Sequence, residues 1–202
     1  MTRPNGSRRG RAEGPAWTRD PARKERILVA AADLLARNGY HAVAMADIGA
    51  AAGVTGSAIY RHFESKSAVL VTLFDRVIDG LLRDARDTVR DVTDPRQALH
   101  RLIDGQVEFV IADRELAQVY YSEIANLPRD DRMRLRRKQR HYLDEWVHVI
   151  AGLRDDLSGT EVHVTVHAAI GAIQSTLFHH TELPEERLRL LLHDAAQAVL
   201  GT

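Results

Sequence analysis

The chain contains no cysteine, which excludes disulfides, thiolate metal sites and cysteine nucleophiles together. It also lacks any apolar run approaching the roughly eighteen residues that cross a membrane. The first nineteen residues are rich in Arg and Gly where a secretory leader needs an apolar centre, so the protein is expected in the cytoplasm with no membrane partner. Strand-like alternation is missing too. The valine-rich stretch from Val162 to Val166 imitates a strand, but Val162, Val166, Ala169, Ile170 and Ile173 recur at three- and four-residue spacing, which is helical. No Gly-x-Ser-x-Gly elbow, phosphate loop or His-x-Glu zinc signature occurs, and Gly53-Val54-Thr55-Gly56 reads as a turn. His163 and His167 have the one-turn spacing of a ligand pair, but the neighbouring Glu161 falls on another face. The expectation is a protein that is not an enzyme, with no metal and no cofactor.

What is present is 202 residues with 45% hydrophobic and 28% charged content, enough for one large globular unit or two small ones sharing a core. The formal net charge of zero hides an asymmetry. Residues 1–66 carry eleven Lys/Arg against six Asp/Glu, a net of +5, and residues 67–202 carry seventeen against twenty-two, a net of −5. A basic end joined to an acidic remainder suits a chain that meets phosphates with one region only. Pro21, Pro95, Pro128 and Pro184 each stand where an apolar-periodic stretch begins, as proline does in the first turn of a helix. Reading between these marks predicts helices at 21–38, 46–52, 56–62, 66–91, 95–111, 113–124, 128–153, 160–180 and 184–199. The fold class is therefore all-α. Residues 1–19 show no periodicity, carry five arginines and read as a disordered tail, either solvated or an arm along DNA.

The first long helix places Ile27, Ala31, Leu34 and Leu35 on one face and closes at Asn38-Gly39, a left-handed stop. A short Ala- and Gly-rich helix follows, then a tight Gly53-Val54 corner, then Thr55, whose side-chain oxygen is placed to cap a second short helix. This is a helix-turn-helix pattern. Val54 and Ile59 would anchor the pair, leaving Gly56, Ser57, Ala58, Arg61 and His62 to vary in exposure on the second, recognition, helix.

From Arg23 to Leu73 the sequence resembles the DNA-binding domain of the tetracycline-repressor (TetR) family, through Asp47-Ile48, Ala51-Ala52-Gly53-Val54, Ile59-Tyr60-Arg61-His62-Phe63 and Ser65-Lys66. The resemblance implies a three-helix DNA-binding head over residues 20–66 and a helical effector-binding and dimerisation body over 67–202. It implies that Tyr60, His62 and Lys66 contact phosphates and that Thr55, Gly56, Ser57 and Ala58 face the groove. Phosphate contacts set position rather than sequence. The sequence departs from the family pattern at Ala44, where Ser or Thr is usual and a helix N-cap is lost, and at Ala46, where a basic residue is common. Gly56 and Ala58 leave few side chains long enough for bidentate base contacts, which shifts operator reading toward DNA shape.

The same resemblance makes the 66–91 helix the link between head and body, and makes the helices after it the walls of an effector pocket. Candidate linings are Leu102, Gln106, Phe109, Val110, Tyr120, Tyr121, Glu123, Tyr142, Trp146, Val149, Gln174 and Phe178. For most of these, ordinary core packing competes with ligand contact. Arg132, Arg134, Arg136, Arg137, Lys138 and Arg140 form the densest positive cluster outside the head, either a solvated helix face or a patch for the phosphates of an acyl-CoA. The last two helices carry the small residues Ala168, Ala172 and Ser175 and the stripe Leu188, Leu191 and Ala195. In the family such helices pair with their copies, so a homodimer on a palindromic operator is expected. The implied function is a repressor released from double-stranded DNA by a small, largely apolar effector such as an acyl-CoA or other lipid. The alternative is a helical small-molecule-binding protein without specific DNA binding.

Overall fold

In a computed structural model, which describes residues 21–179 and 181–202, the chain forms nine α-helices and no strand among those residues. In chain order they are α1 (Pro21–Asn38), α2 (Met45–Ala51), α3 (Gly56–Ile59), α4 (Lys66–Asp91), α5 (Pro95–Ala112), α6 (Arg114–Glu123), α7 (Arg129–Leu153), α8 (Gly159–Gln174) and α9 (Glu185–Leu200). The expected all-α class holds. The tail expected over residues 1–19 lies outside the described residues.

Local chemistry accounts for most of the boundaries. Gly39 takes a positive φ of 77° after α1, and its N–H reaches the Leu35 carbonyl at 2.9 Å, the left-handed stop that Asn38-Gly39 foretold. Asp94 accepts from the Arg96 N–H at 3.0 Å with Pro95 in the first turn of α5. Ser158 and Glu161 form a reciprocal capping box at the start of α8, the Glu161 carboxylate accepting from the Ser158 N–H at 2.7 Å. One long helix was expected over 160–180, but α8 ends at Gln174 and tightens into a 3₁₀ turn over Ser175–Phe178. Hydroxyls explain the change: Ser175 donates to the Ala172 carbonyl at 2.7 Å, and Thr176 to that of Ile173 at 3.5 Å, competing with the helical ladder.

Helix α4 packs most extensively on α7, α8 packs on α9, and α5 lies against α4, α7 and α9. Phe74 on α4, Ile103 on α5, and Leu135, Trp146 and Ile150 on α7 are fully buried at the centre of this stack. Such central packing makes each side chain volume-sensitive. Helix α1 packs on α2 and α4 through Ile27, Ala31 and Leu35, and also along α6. The first three helices therefore meet the remainder chiefly along the first half of α4 and along α6. No helix among the described residues is long and apolar enough to cross a membrane.

Candidate DNA-binding face and effector cavity

Glycine at position 49 lets α2 press against the turn that follows it. A Cβ there would stand 3.2 Å from the Val54 carbonyl oxygen and 3.7 Å from the Ile59 side chain. Gly53 supplies the corner with φ of 66°. Ile48, Val54, Ile59 and Phe63 are buried beneath. Without a hydroxyl at Ala44, α2 is capped in half: the Asp47 carboxylate accepts from the Ala44 N–H at 2.8 Å, and no side chain returns the bond.

Two expectations about the second helix need correction. Thr55 has the extended backbone of an N-cap but makes no side-chain capping bond; its carbonyl takes the Ala58 N–H at 2.8 Å instead. This turn is exposed, so its N–H groups are open to water and capping gains little. The α-helix also stops at Ile59 rather than 62, because Arg61 and His62 make shorter i to i−3 bonds to Ala58 and Ile59. The chain tightens there to bring Phe63 into the core. Gly56 opens the helix, Thr55, Ser57, Tyr60 and Arg61 are exposed, and Ala58 and His62 are half-buried. Tyr60 keeps 56% of its surface, unusual for an aromatic side chain with nothing to cover it.

Lys66 is the larger correction. The resemblance assigned it a phosphate, but its ammonium donates to the carbonyls of Tyr40 and of Val43, the latter at 2.6 Å, and lies 4.1 Å from the centre of the Tyr40 ring. Both carbonyls belong to the link between α1 and α2, which offers no helical partner for them, so the cation is drawn inward. Ser65 caps α4 by accepting from the Ala68 N–H at 3.1 Å, and Tyr40 reaches Ser67 at 3.1 Å. Lys66 thus pins the head to the first turn of α4.

Behind the head, α4 to α8 surround a small cavity of about 30 Å³, room for a single water. Six of the twelve expected residues line it: Gln106, Phe109, Tyr120, Tyr121, Tyr142 and Gln174. The others lie elsewhere. Val110 and Trp146 are fully buried core, Leu102 borders a neighbouring crevice, and Val149 borders a surface groove by His148. Glu123 is buried beside Asn126 and His41, and Phe178 is exposed beside Tyr121. Aromatic and apolar residues at helical spacing fill core and cavity wall alike, so spacing does not separate them. Missed were Val77, Ile78 and Leu81 on α4, Gln139 and Leu143 on α7, and Ile170 on α8. The i, i+3, i+4 run Gln139, Tyr142, Leu143 was the available signal, hidden within the arginine cluster.

Among the described residues no charged side chain lines the cavity. Its polar groups are amides and phenols. Tyr142 donates to Gln106 at 2.9 Å, and the Gln174 amide donates to the Tyr121 oxygen. Burial pushes Tyr120 up to about 12 against a smaller downward pull from Arg136, and burial raises Tyr121 and Tyr142 as well. All three phenols are neutral at pH 7 and act as hydrogen-bond donors or acceptors.

The arginine cluster is divided by the fold. Arg134 grips Asp75 on α4 at 2.5 Å and Asp131 at 3.1 Å, Lys138 bridges Asp75 at 2.8 Å and Asp79 at 2.7 Å, and Arg132 donates to the Ala125 carbonyl at 2.6 Å. Arg136, Arg137 and Arg140 remain on the exposed side. Any anion-binding role passes to these three.

On the far side, Ala168 and Ser175 on or after α8 and Leu191 and Ala195 on α9 are exposed, and Ala172 is half-buried. Leu188 is buried within the chain, so it has little surface to offer the expected interface. Val164, Leu190 and Val199 extend the exposed apolar face. A groove of about 530 Å³ beside it, between α5 and α9, is open and bordered by Asp104, Glu108, Arg189 and His193, and its charged rim does not suit an apolar ligand.

A helix-turn-helix with an exposed recognition segment, joined by one long helix to a body with an uncharged internal cavity, defines a DNA-binding regulator. The sequence matches the family described as bacterial regulatory proteins, tetR family, over residues 27–73, and the tetracyclin repressor-like C-terminal domain over residues 92–177. The chain belongs to the TetR family. It is 33% identical over 106 residues to the HTH-type transcriptional activator FasR of Mycolicibacterium smegmatis, a match spanning 52% of this chain and only 48% of that protein. It is 23% identical over 158 residues to the fatty acid metabolism regulator protein of Bacillus subtilis, covering 75% of this chain and 79% of that one. A TetR-family regulator of Bordetella parapertussis superposes with a TM-score of 0.78 at 26% identity, covering 88% of this chain and 93% of the other.

Proposed function

We propose that this chain is a cytoplasmic, homodimeric repressor that occupies a palindromic operator and leaves it when an apolar acyl ligand, such as an acyl-CoA, enters the cavity behind the head. The observation that carries the reading is the pairing of an exposed recognition segment with a charge-free cavity across a shared helix, since α4 begins at the head and supplies Val77, Ile78 and Leu81 to the cavity wall. The name of the Bacillus subtilis relative, a fatty acid metabolism regulator, supports the ligand class. Head and body divide at about residue 66 in this reading. Thr55, Gly56, Ser57 and Ala58 face the groove, and Tyr60, Arg61 and His62 meet the phosphates. Val164, Ala168, Leu191, Ala195 and Val199 cover one another across a two-fold axis.

The cavity is far smaller than the several hundred Å³ that an acyl ligand needs, so binding must part α4 from α6, α7 or α8. A ligand that prefers the parted state lowers DNA affinity by that preference, and one that binds both states equally shifts nothing. Fluorescence anisotropy of the protein on a duplex taken from its own upstream region, titrated with acyl-CoAs of eight to eighteen carbons, tests this. Release by one of them over an order of magnitude or more is the expected result. Retention of DNA with every chain length would remove the lipid effector and leave the DNA-binding reading standing.

A further inference from the structure

The cavity holds three phenols and three glutamine amides in an otherwise apolar wall. Two phenols are matched: Tyr142 with Gln106, and Tyr121 with Gln174. Tyr120 is not. Its hydroxyl is buried with no hydrogen-bond partner among the described residues, and only 5% of the residue is exposed. Its ring is held edge-on between Phe74 at 4.8 Å and Tyr121 at 5.3 Å, so the group is fixed in position. In the empty protein only a water in this small cavity could meet the hydroxyl, and a ligand that displaces that water must bring an acceptor of its own or leave the hydroxyl unpaired. A fixed hydroxyl on a cavity wall with no protein partner is placed to meet an acceptor that arrives with the ligand.

We propose that the Tyr120 hydroxyl is a specificity-determining donor for one acceptor oxygen on an uncharged, otherwise apolar part of the ligand. The inference rests on the cavity being the effector site. It favours a neutral acceptor over a carboxylate at this point, because among the described residues no Lys, Arg or His lines the cavity and Arg136, whose charge reaches the phenol, is itself exposed. It also ranks a plain hydrocarbon below its carbonyl-bearing counterpart. The shared chemistry is a carbonyl oxygen, supplied either by the thioester of an acyl-CoA or by a ketone within a neutral apolar body.

Two matched pairs of probes separate these sources: dodecanoyl-CoA against S-dodecyl-CoA, which lacks the carbonyl, and decan-2-one against decane. Affinities of wild type and Tyr120→Phe are read by displacement of N-phenyl-1-naphthylamine, a neutral fluorophore that brightens in apolar cavities. In wild type the carbonyl member of one pair binds about five- to tenfold more tightly, and in Tyr120→Phe that preference disappears while the other member is unchanged. The pair that responds identifies the source. The melting temperature of ligand-free Tyr120→Phe stays level or rises, a sign opposite to its loss of binding that a purely structural role does not produce. A preference absent in wild type, a preference retained in the variant, or a lower melting temperature overturns the proposal while the effector site stands. If neither fluorophore nor probes bind at all, the effector site falls and this inference with it.

Discussion

Asp75 holds α4 against α7, and replacing it by Asn tests how much that clamp contributes. Its carboxylate accepts from Arg134 at 2.5 Å and from Lys138 at 2.8 Å and is 22% exposed. Asn keeps the shape and one acceptor but loses the charge. Hydrogen bonds to charged groups contribute about 1.5–3 kcal/mol, but this carboxylate is partly solvated, and the two cations retain Asp131 and Asp79. The expected loss is therefore about 1–2 kcal/mol, or about 0.5–1 M in urea midpoint for a slope near 2 kcal/mol/M. The pH dependence follows from the direction of the Asp75 pKa. Burial alone would raise it, but the hydrogen bonds and charges of Arg134 and Lys138 together outweigh that and hold it below its usual range. A lowered folded-state value means that the clamp contributes fully above the unfolded aspartate value near 4 and fades as pH falls through the folded value. Urea unfolding followed by circular dichroism, at one protein concentration and in steps from pH 7 to pH 2.5, should show a gap between wild type and Asp75→Asn that is constant near neutrality and closes in acid. Equal midpoints at pH 7, or a gap that persists in acid, would refute the clamp.

Lys66→Ala should cost the head about 1–2 kcal/mol, since two backbone carbonyls lose their donor, and should weaken operator binding without changing the slope of log affinity against log salt. A slope shallower by about one would instead return Lys66 to a phosphate. If the proposed dimer forms through the exposed α9 face, Leu191→Lys should give soluble monomers in sedimentation at micromolar concentration, whereas Leu188→Lys, at a position buried within the chain, should give insoluble or unfolded chain; a dimeric Leu191→Lys protein would move the interface elsewhere. Charge reversal at Arg136 and Arg137 together should weaken acyl-CoA binding about tenfold while leaving neutral ligands such as decan-2-one unaffected. Equal loss for both ligands would show that these arginines act on the fold rather than on the CoA phosphates.

Helices with strong local signals were legible in advance. Pro95 and the Asn38-Gly39 pair each act within one turn of chain, so the start of α5 and the end of α1 follow from the sequence, whereas the equally local Asp94 cap and Ser158–Glu161 box were not read. The helix-turn-helix was legible for the same reason, because Gly49, Gly53 and Val54 shape a corner through short-range contacts. Hydroxyl competition at Ser175 and Thr176 and the tightening after Ile59 were not read, although both are local; their outcome depends on where Phe63 and Leu177 must be buried.

The sequence by itself determined the helical class, the head and its turn, and the placement of an apolar body behind them, because periodicity, caps and glycine conformations act over a few residues. Tertiary structure alone decided which side chains do which work. It turned Lys66 from solvent to the Tyr40 and Val43 carbonyls, gave Arg134 and Lys138 to Asp75, buried Leu188, and left the Tyr120 hydroxyl with no partner among the described residues while Gln106 and Gln174 took Tyr142 and Tyr121. These groups are separated from their partners by 23 to 63 positions along the chain. A charge or a hydroxyl looks the same in the sequence whether water or a neighbouring helix will satisfy it, and only packing settles which one does.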